Sequence, residues 1–297
     1  MYLKRWLAAI LILVSGSALA QQDFSSVTIR STRLAKGIYM LEGSGGNIGL
    51  AAGDGGVLLI DSQYGALTEK ILEAVTKITD KPVRFLLDTH WHSDHTDGNL
   101  NLARNGATII AHENVRKRLA GGQHMSALGV DIPPAPAEAL PVLTFTGGIT
   151  FHLNGEEVEV FHPRTGHTDG DAVVLFRNSN IVHTGDLFFN GLYPFIDADC
   201  GATLDGYIAG IDAILERIDG DTKIIPGHGP LSNKSEYKKF RDMLATIRDR
   251  VKKMVGEGKT VDEIVAAKPT AEFDDVWGKG FMPPDQWVRM VAGMMNR

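Results

Sequence analysis

The sequence predicts an α/β protein in which helices pack on a mixed sheet. Three observations predict it. Residues 48–52 and 57–60 are short apolar runs around Asp54-Gly55, a strong hairpin signal. Leu67, Ile71, Val75 and Ile78 recur at four, four and three, which is one apolar face of a helix. Residues 83–87 then form a further buried strand after the Asp80-Lys81-Pro82 turn.

The chain has 297 residues, 43% hydrophobic and 22% charged, which is ordinary globular composition and enough for a sizeable core. The first twenty residues are a separate object. Lys4 and Arg5 give a positive start, residues 7–14 a short apolar run, and Ser17-Ala18-Leu19-Ala20 the small residues of a cleavage site. The pattern predicts a signal peptide cut after Ala20, since the apolar run is too short to span a bilayer comfortably. The mature chain is expected to be periplasmic or secreted, with no membrane association after cleavage. Residues 21–255 are expected to form the catalytic domain and 256–297 a C-terminal helical extension packed on it. Cys200 is the one cysteine, so export here brings no internal disulfide. Net charge is −6, and no basic patch stands out to track phosphates, which argues against a nucleic-acid partner.

Taken in order, residues 38–41 read as a strand. Gly43-Ser44-Gly45-Gly46-Asn47 reads as a turn between strands and not as a nucleotide loop, because no helix follows. Asp61 ends the next strand, either as a partner that orients a ligand histidine or as a cap or turn former; both readings stand. A short helix follows Asp97-Gly98-Asn99. Residues 108–111 are a strand and 113–120 a helix stopped by Gly121-Gly122. Residues 121–141 carry glycine, proline and little periodicity, and read as a loop: a wall of the substrate pocket or a passive connection. His124 lies there without a partner motif and is not counted as a ligand. Strands follow at 143–145, 150–153 and 158–161, with Asn154-Gly155 as a hairpin turn, then at 172–176, 181–184 and 223–225. Residues 205–218 read as a helix. Tyr237, Phe240, Leu244, Ile247 and Val251 share a helical face, and helices over 261–267 and 285–295 complete the chain. Phe273, Trp277, Phe281 and Trp287 read as packing residues, and Tyr193-Pro194-Phe195 as a substrate contact.

The chemistry gathers at His90-Trp91-His92-Ser93-Asp94-His95. Imidazole nitrogen and carboxylate oxygen are ligands for zinc and other borderline divalent metals. Positions two apart do not share a helical face, so the run reads as a loop that can aim ligands in two directions. Three more candidates sit on loops at strand ends. His167 is held between Gly166 and small polar residues; His162 is close enough to compete, but it precedes Pro163 in an ordinary connection. Asp186 ends the strand at 181–184. His228 is bracketed by Pro226-Gly227 and Gly229-Pro230, a rigid mount for a last ligand.

His-x-His-x-Asp-His at 90–95, Gly-His at 166–167, Thr-Gly-Asp at 184–186 and Pro-Gly-His-Gly at 226–229 together resemble the metallo-β-lactamase superfamily, in the family's order. The resemblance covers roughly residues 38–230. It implies a four-layer αββα sandwich, two mixed β-sheets flanked by helices, with a two-metal site along one edge. It matches His90, His92 and His167 to the first metal, and Asp94, His95 and His228 to the second. Asp186 matches the bridging carboxylate of glyoxalase II-like members. Two zinc ions are expected, with iron or manganese compatible with the second site. One departure bears on substrate: many familiar lactamases have a cysteine in place of Asp186 and a lysine soon after, and this chain has Leu187-Phe188-Phe189-Asn190 there. Cys200 comes fourteen residues too late to be that cysteine.

The implied chemistry is metal-assisted hydrolysis of a small-molecule acyl substrate. Water acidified by the metals attacks a carbonyl, while Asp94 orients it and passes a proton to the leaving group. A β-lactam ring is the first substrate expected, because an exported hydrolase meets such compounds. The alternative is a thioester or lactone, glutathione thioesters being disfavoured by export. A third reading, a non-catalytic metal-binding accessory protein, is opposed by the intact ligand set.

Overall fold

The structure, a computed structural model, describes residues 23–295, so the expected leader lies outside the described residues. In chain order the elements begin with strands β1 (Arg30–Ala35), β2 (Ile38–Glu42), β3 (Ile48–Gly53) and β4 (Gly56–Ile60), then helix α1 (Thr68–Thr76) and β5 (Val83–Asp88). Next come α2 (Ser93–Thr96), α3 (Asn99–Arg104), β6 (Thr108–His112), α4 (Glu113–Gly121), β7 (Gln123–Met125), β8 (Val130–Ile132) and β9 (Leu143–Phe145). The second half holds β10 (Gly148–Leu153), β11 (Glu156–Phe161), β12 (Val173–Phe176), β13 (Ile181–His183), α5 (Leu204–Leu215), β14 (Lys223–Ile225) and β15 (Ser232–Asn233). Four helices end the chain: α6 (Lys234–Gly256), α7 (Val261–Ala266), α8 (Asp274–Trp277) and α9 (Pro284–Met295).

Two mixed sheets result. The first has seven strands in the order β1-β2-β3-β4-β5-β6-β9, antiparallel as far as β4 and parallel beyond it. The second has six, β10-β11-β12-β13-β14-β15, with β13 and β14 parallel. Strand β4 is buried on both faces, which is why it reads as an unbroken apolar run. Its Leu58 and Ile60 meet Val158, Val174 and Ile225 of the other sheet. Its Val57 and Leu59 pack with Ile71 and Val75 of α1. The outer face of the second sheet, through Val173, Leu175, Val182 and Ile224, packs on Ile211 of α5, Phe240 of α6 and Trp287 of α9. Helix, sheet, sheet, helix is the four-layer αββα arrangement.

Two expectations change here. Residues 121–141 are not a plain loop, since β7 and β8 pair as a separate two-stranded hairpin. The sequence shows no period there because the strands are only three residues each. The histidine-rich run is a loop only in its first half. His90 and His92 are extended or irregular, while Asp94 and His95 lie on the single turn of α2. Among the described residues no helix is long and apolar enough to cross a membrane.

Candidate metal centre

The carboxyl ends of four strands meet at one edge of the sandwich, where open sheets place their chemistry. β4 runs into Asp61, β5 into His90, β13 into Asp186 and β14 into His228. Donor atoms of His90, His92, His167 and Asp186 lie within 4.8 Å of one another, and so do those of Asp94, His95 and His228. All seven ligand candidates from the sequence are therefore brought together, in two groups. Asp186 stands between them: Oδ2 is 3.3 Å from His167 Nε2 and 3.4 Å from His228 Nε2, and Oδ1 is 3.1 Å from His95 Nε2. Asp94 Oδ2 lies 3.2 Å from His228 Nε2. His124 pairs with Asp131 on the surface, and His162 stacks on His112, so neither belongs to the site.

In His90, His92, His95 and His167 the inner nitrogen is aimed by a bond to the outer one, which also fixes the tautomer. His95 Nδ1 donates to Asp61 Oδ2 at 2.8 Å. His90 Nδ1 donates to Thr89 Oγ1 at 3.0 Å, and that hydroxyl donates to Asp61 Oδ2 at 2.8 Å. His167 Nδ1 donates to the Phe195 carbonyl at 2.9 Å, and His92 Nε2 to Asp197 Oδ2 at 3.1 Å. Of the two readings of Asp61, the orienting partner is the one observed. Asp197, Thr89 and the Phe195 carbonyl escaped the sequence reading. Asp197 lies 105 residues from His92, and only the fold brings them together. A hydroxyl next to a ligand histidine was the available signal for Thr89.

The glycines around the site permit close approach. A Cβ on Gly46 would run into the His95 ring, and one on Gly227 into the Asp186 carboxylate. Asn47 then ties the two loops, its Nδ2 donating to the carbonyls of Pro226 at 2.9 Å and Gly229 at 2.8 Å.

The residues fit a divalent cation. His90 Nε2 is buried and aimed inward with no hydrogen-bond partner, and Asp186 Oδ1 makes no hydrogen bond of good geometry. A buried polar atom left so costs free energy unless something binds it. Burial pushes His90 well below the usual imidazole range, and His167 down to about 4, so both present a neutral, ligating ring. In the second group burial also disfavours charge, but Asp186 and Asp94 outweigh it and raise His228 to about 9. Two carboxylates thus ask for positive charge at a place lined by imidazole, which a metal ion supplies. Cys200 belongs to neither group. Its buried Sγ donates to Asp197 Oδ2 at 2.9 Å and accepts from Trp91 Nε1 at 3.2 Å, and burial pushes its thiol pKa up.

Over the centre lies a pocket of about 430 Å³. Its floor is His92, Asp94, His167, Asp186 and His228, and its walls include Trp91, Phe189 and Phe195. Met125, Leu128, Val130 and Ile132 of the β7–β8 hairpin complete it, so residues 121–141 are a pocket wall and not a passive connection. Phe281 also lines it and is 56% exposed, which corrects its reading as a packing residue. Phe195 contacts the pocket as expected, whereas Tyr193 is buried, stacked on Trp287 at 4.7 Å.

Comparison with known proteins gives the same picture. Residues 41–238 match the model of the Metallo-beta-lactamase superfamily. The chain belongs to this superfamily. A metallo-beta-lactamase type 2 from Bacillus cereus is 24% identical over 194 residues, spanning 64% of this chain and 69% of that protein. A hydroxyacylglutathione hydrolase from Polaromonas is 27% identical over 179 residues, 59% of each chain. The solved metallo-beta-lactamase from Pontibacter korlensis superposes with a TM-score of 0.63 at 21% identity, covering 73% of this chain and 99% of that one. As a superfamily member the chain is a metallo-hydrolase with a divalent-metal site of histidine and aspartate.

Proposed function

We propose that the protein holds two zinc ions and hydrolyses the acyl bond of a small, uncharged, largely apolar substrate: a lactone, an ester or a simple thioester. The observation that carries this is seven convergent donors, five of them on the floor of an apolar pocket into which, among the described residues, no lysine or arginine projects. Bound there, the metals would supply Lewis-acid polarisation of the carbonyl and a water acidified to near neutrality. His90, His92 and His167 would hold one ion, Asp94, His95 and His228 the other, with Asp186 between.

The chain's own residues do the rest. The Asp94 side chain is 24% exposed at the pocket floor, so it can reach substrate as the deeper ligands cannot. His95 and His228 outweigh its burial and hold its carboxyl down to about 2, so it is an ionised carboxylate at neutral pH, able to accept a hydrogen bond from the attacking water. From there it takes the proton of the attacking water and delivers it to the leaving atom. Trp91, Phe189 and Phe195 exclude bulk water, which strengthens every charge interaction inside.

A β-lactam is the second reading, supported by the relatedness to the Bacillus cereus protein. It ranks second because such substrates carry a carboxylate and the pocket offers it no cation. The same argument tells against glutathione thioesters. The exported, periplasmic setting implied by the leader suits either reading.

The test is zinc-loaded residues 21–297 against a neutral lactone, a neutral ester, a simple thioester and a chromogenic cephalosporin. Turnover of a neutral acyl substrate with kcat/KM well above the cephalosporin's supports the proposal. Ring opening of the cephalosporin alone replaces it with the lactamase reading. Asp94→Asn should lower kcat by about two to four orders of magnitude while the protein stays folded. Unchanged turnover would remove Asp94 from the chemistry.

A further inference from the structure

A second cavity of about 290 Å³ opens beside the metal centre, behind Phe195. Phe195, Ile196, Met282, Met290, Gly293 and Met294 supply much of its apolar wall. Three of these belong to α9, which lies beyond the residues that match the superfamily.

The two cavities share a partition. Phe195 lines both. The hairpin gives Met125 and Leu128 to the metal-centre pocket, and Ser126 and Ala127, between them, to the second cavity. Phe281 lines the first and Met282 the second. The charged groups of the second cavity already have partners. Asp197 is turned to His92 and Cys200, Asp199 accepts the Ser126 N–H at 2.6 Å, and Arg289 pairs with Asp262 at 2.8 Å. Apart from the exposed Gln286 amide, what remains is an apolar wall with three thioether side chains, flexible enough to fit a flexible chain. The exposed Leu128, Val130 and Phe281 carry that apolar surface out to the mouth of the metal-centre pocket.

We infer that the second cavity receives the unbranched aliphatic tail of a substrate whose acyl group lies at the metal centre. This deepens the acyl-hydrolase reading and rests on it. The tail passes over Phe195, and α9 sets how much of it is covered. Each methylene moved from water onto such a wall tightens binding about three- to fourfold.

Calorimetry with two neutral methyl ketones that cannot be hydrolysed, one of six carbons and one of twelve, tests the assignment on the full mature chain. The twelve-carbon ketone should bind at least about tenfold tighter. Gly293→Trp is the blocking variant, because a Cβ there meets nothing within 4 Å and the position is helical. It should abolish the advantage of the long ketone and leave the short one unchanged. Met290→Glu, which puts a carboxylate into the same wall, should do likewise if Gly293→Trp does not fold. Equal binding of both ketones, or a long-chain advantage that survives in the folded variants, overturns the inference. A long-chain advantage lost in the variants, together with no hydrolysis of any ester or lactone, upholds the cavity's role and overturns the proposed reaction instead.

Discussion

Asp61 ties the two donor groups to one buried carboxylate. It receives His95 directly and His90 through Thr89, and it also accepts the Thr89 N–H at 2.7 Å. Its backbone sits at φ 67°, a conformation that side chains other than Asn and Asp rarely adopt. Asp61→Asn keeps shape and backbone but weakens the acceptor. It should cut metal affinity about 10- to 100-fold, read by competition with a chromogenic chelator. Undiminished affinity would reduce Asp61 to a turn former. The second group makes a pH prediction for metal-free protein. The folded pKa of His228, raised from 6.5 to about 9, means that its imidazolium stabilises the fold fully below pH 6.5. That stabilisation is lost as pH rises through about 9. The thermal midpoint of metal-free protein should therefore fall between pH 6.5 and 9, and zinc, replacing the protons, should flatten the curve. Parallel curves with and without zinc would contradict the pairing.

Helix α9 shows how an element far along the chain supports the centre. Trp287 is fully buried, stacks on Tyr193 and donates from Nε1 to the Pro194 carbonyl at 2.7 Å. The loop it pins carries the Phe195 carbonyl and Asp197, the outer partners of His167 and His92. Trp287→Ala should cost about 3–5 kcal/mol of stability. It should also loosen the first donor group, seen as weaker metal binding in protein still folded at low temperature. Unfolding with unaltered metal affinity would confine α9 to packing. This link was not legible in the sequence, where Trp287 read only as a packing residue. What was legible had local causes. His167 and His228 sit beside glycine or proline that fixes or frees their backbone, and β4 is an apolar run because both its faces are covered. Asp197, Phe281 and the β7–β8 hairpin were missed because their roles depend on partners remote in the chain or on strands too short to show a period.

At the scale of the whole molecule, the sandwich brings loops from both sheets to one edge. His90, His92, Asp94 and His95 come from the first sheet, and His167, Asp186 and His228 from the second. Neither sheet alone holds a complete set, so metal binding and the docking of the sheets are coupled. A ligand that binds only the folded form stabilises it by mass action, about 2.7 kcal/mol at a hundredfold excess over Kd. Apolar packing between the sheets and beneath the helices on either side, not the metal, supplies the core, so metal-free protein should still fold. The most direct measurement of the central claim is zinc per chain titrated against hydrolysis on one preparation of residues 21–297. The account predicts activity that rises with loading and reaches its plateau at two zinc ions. A chain that binds no metal under replete conditions, or turns over substrate equally with the metal stripped, would contradict it.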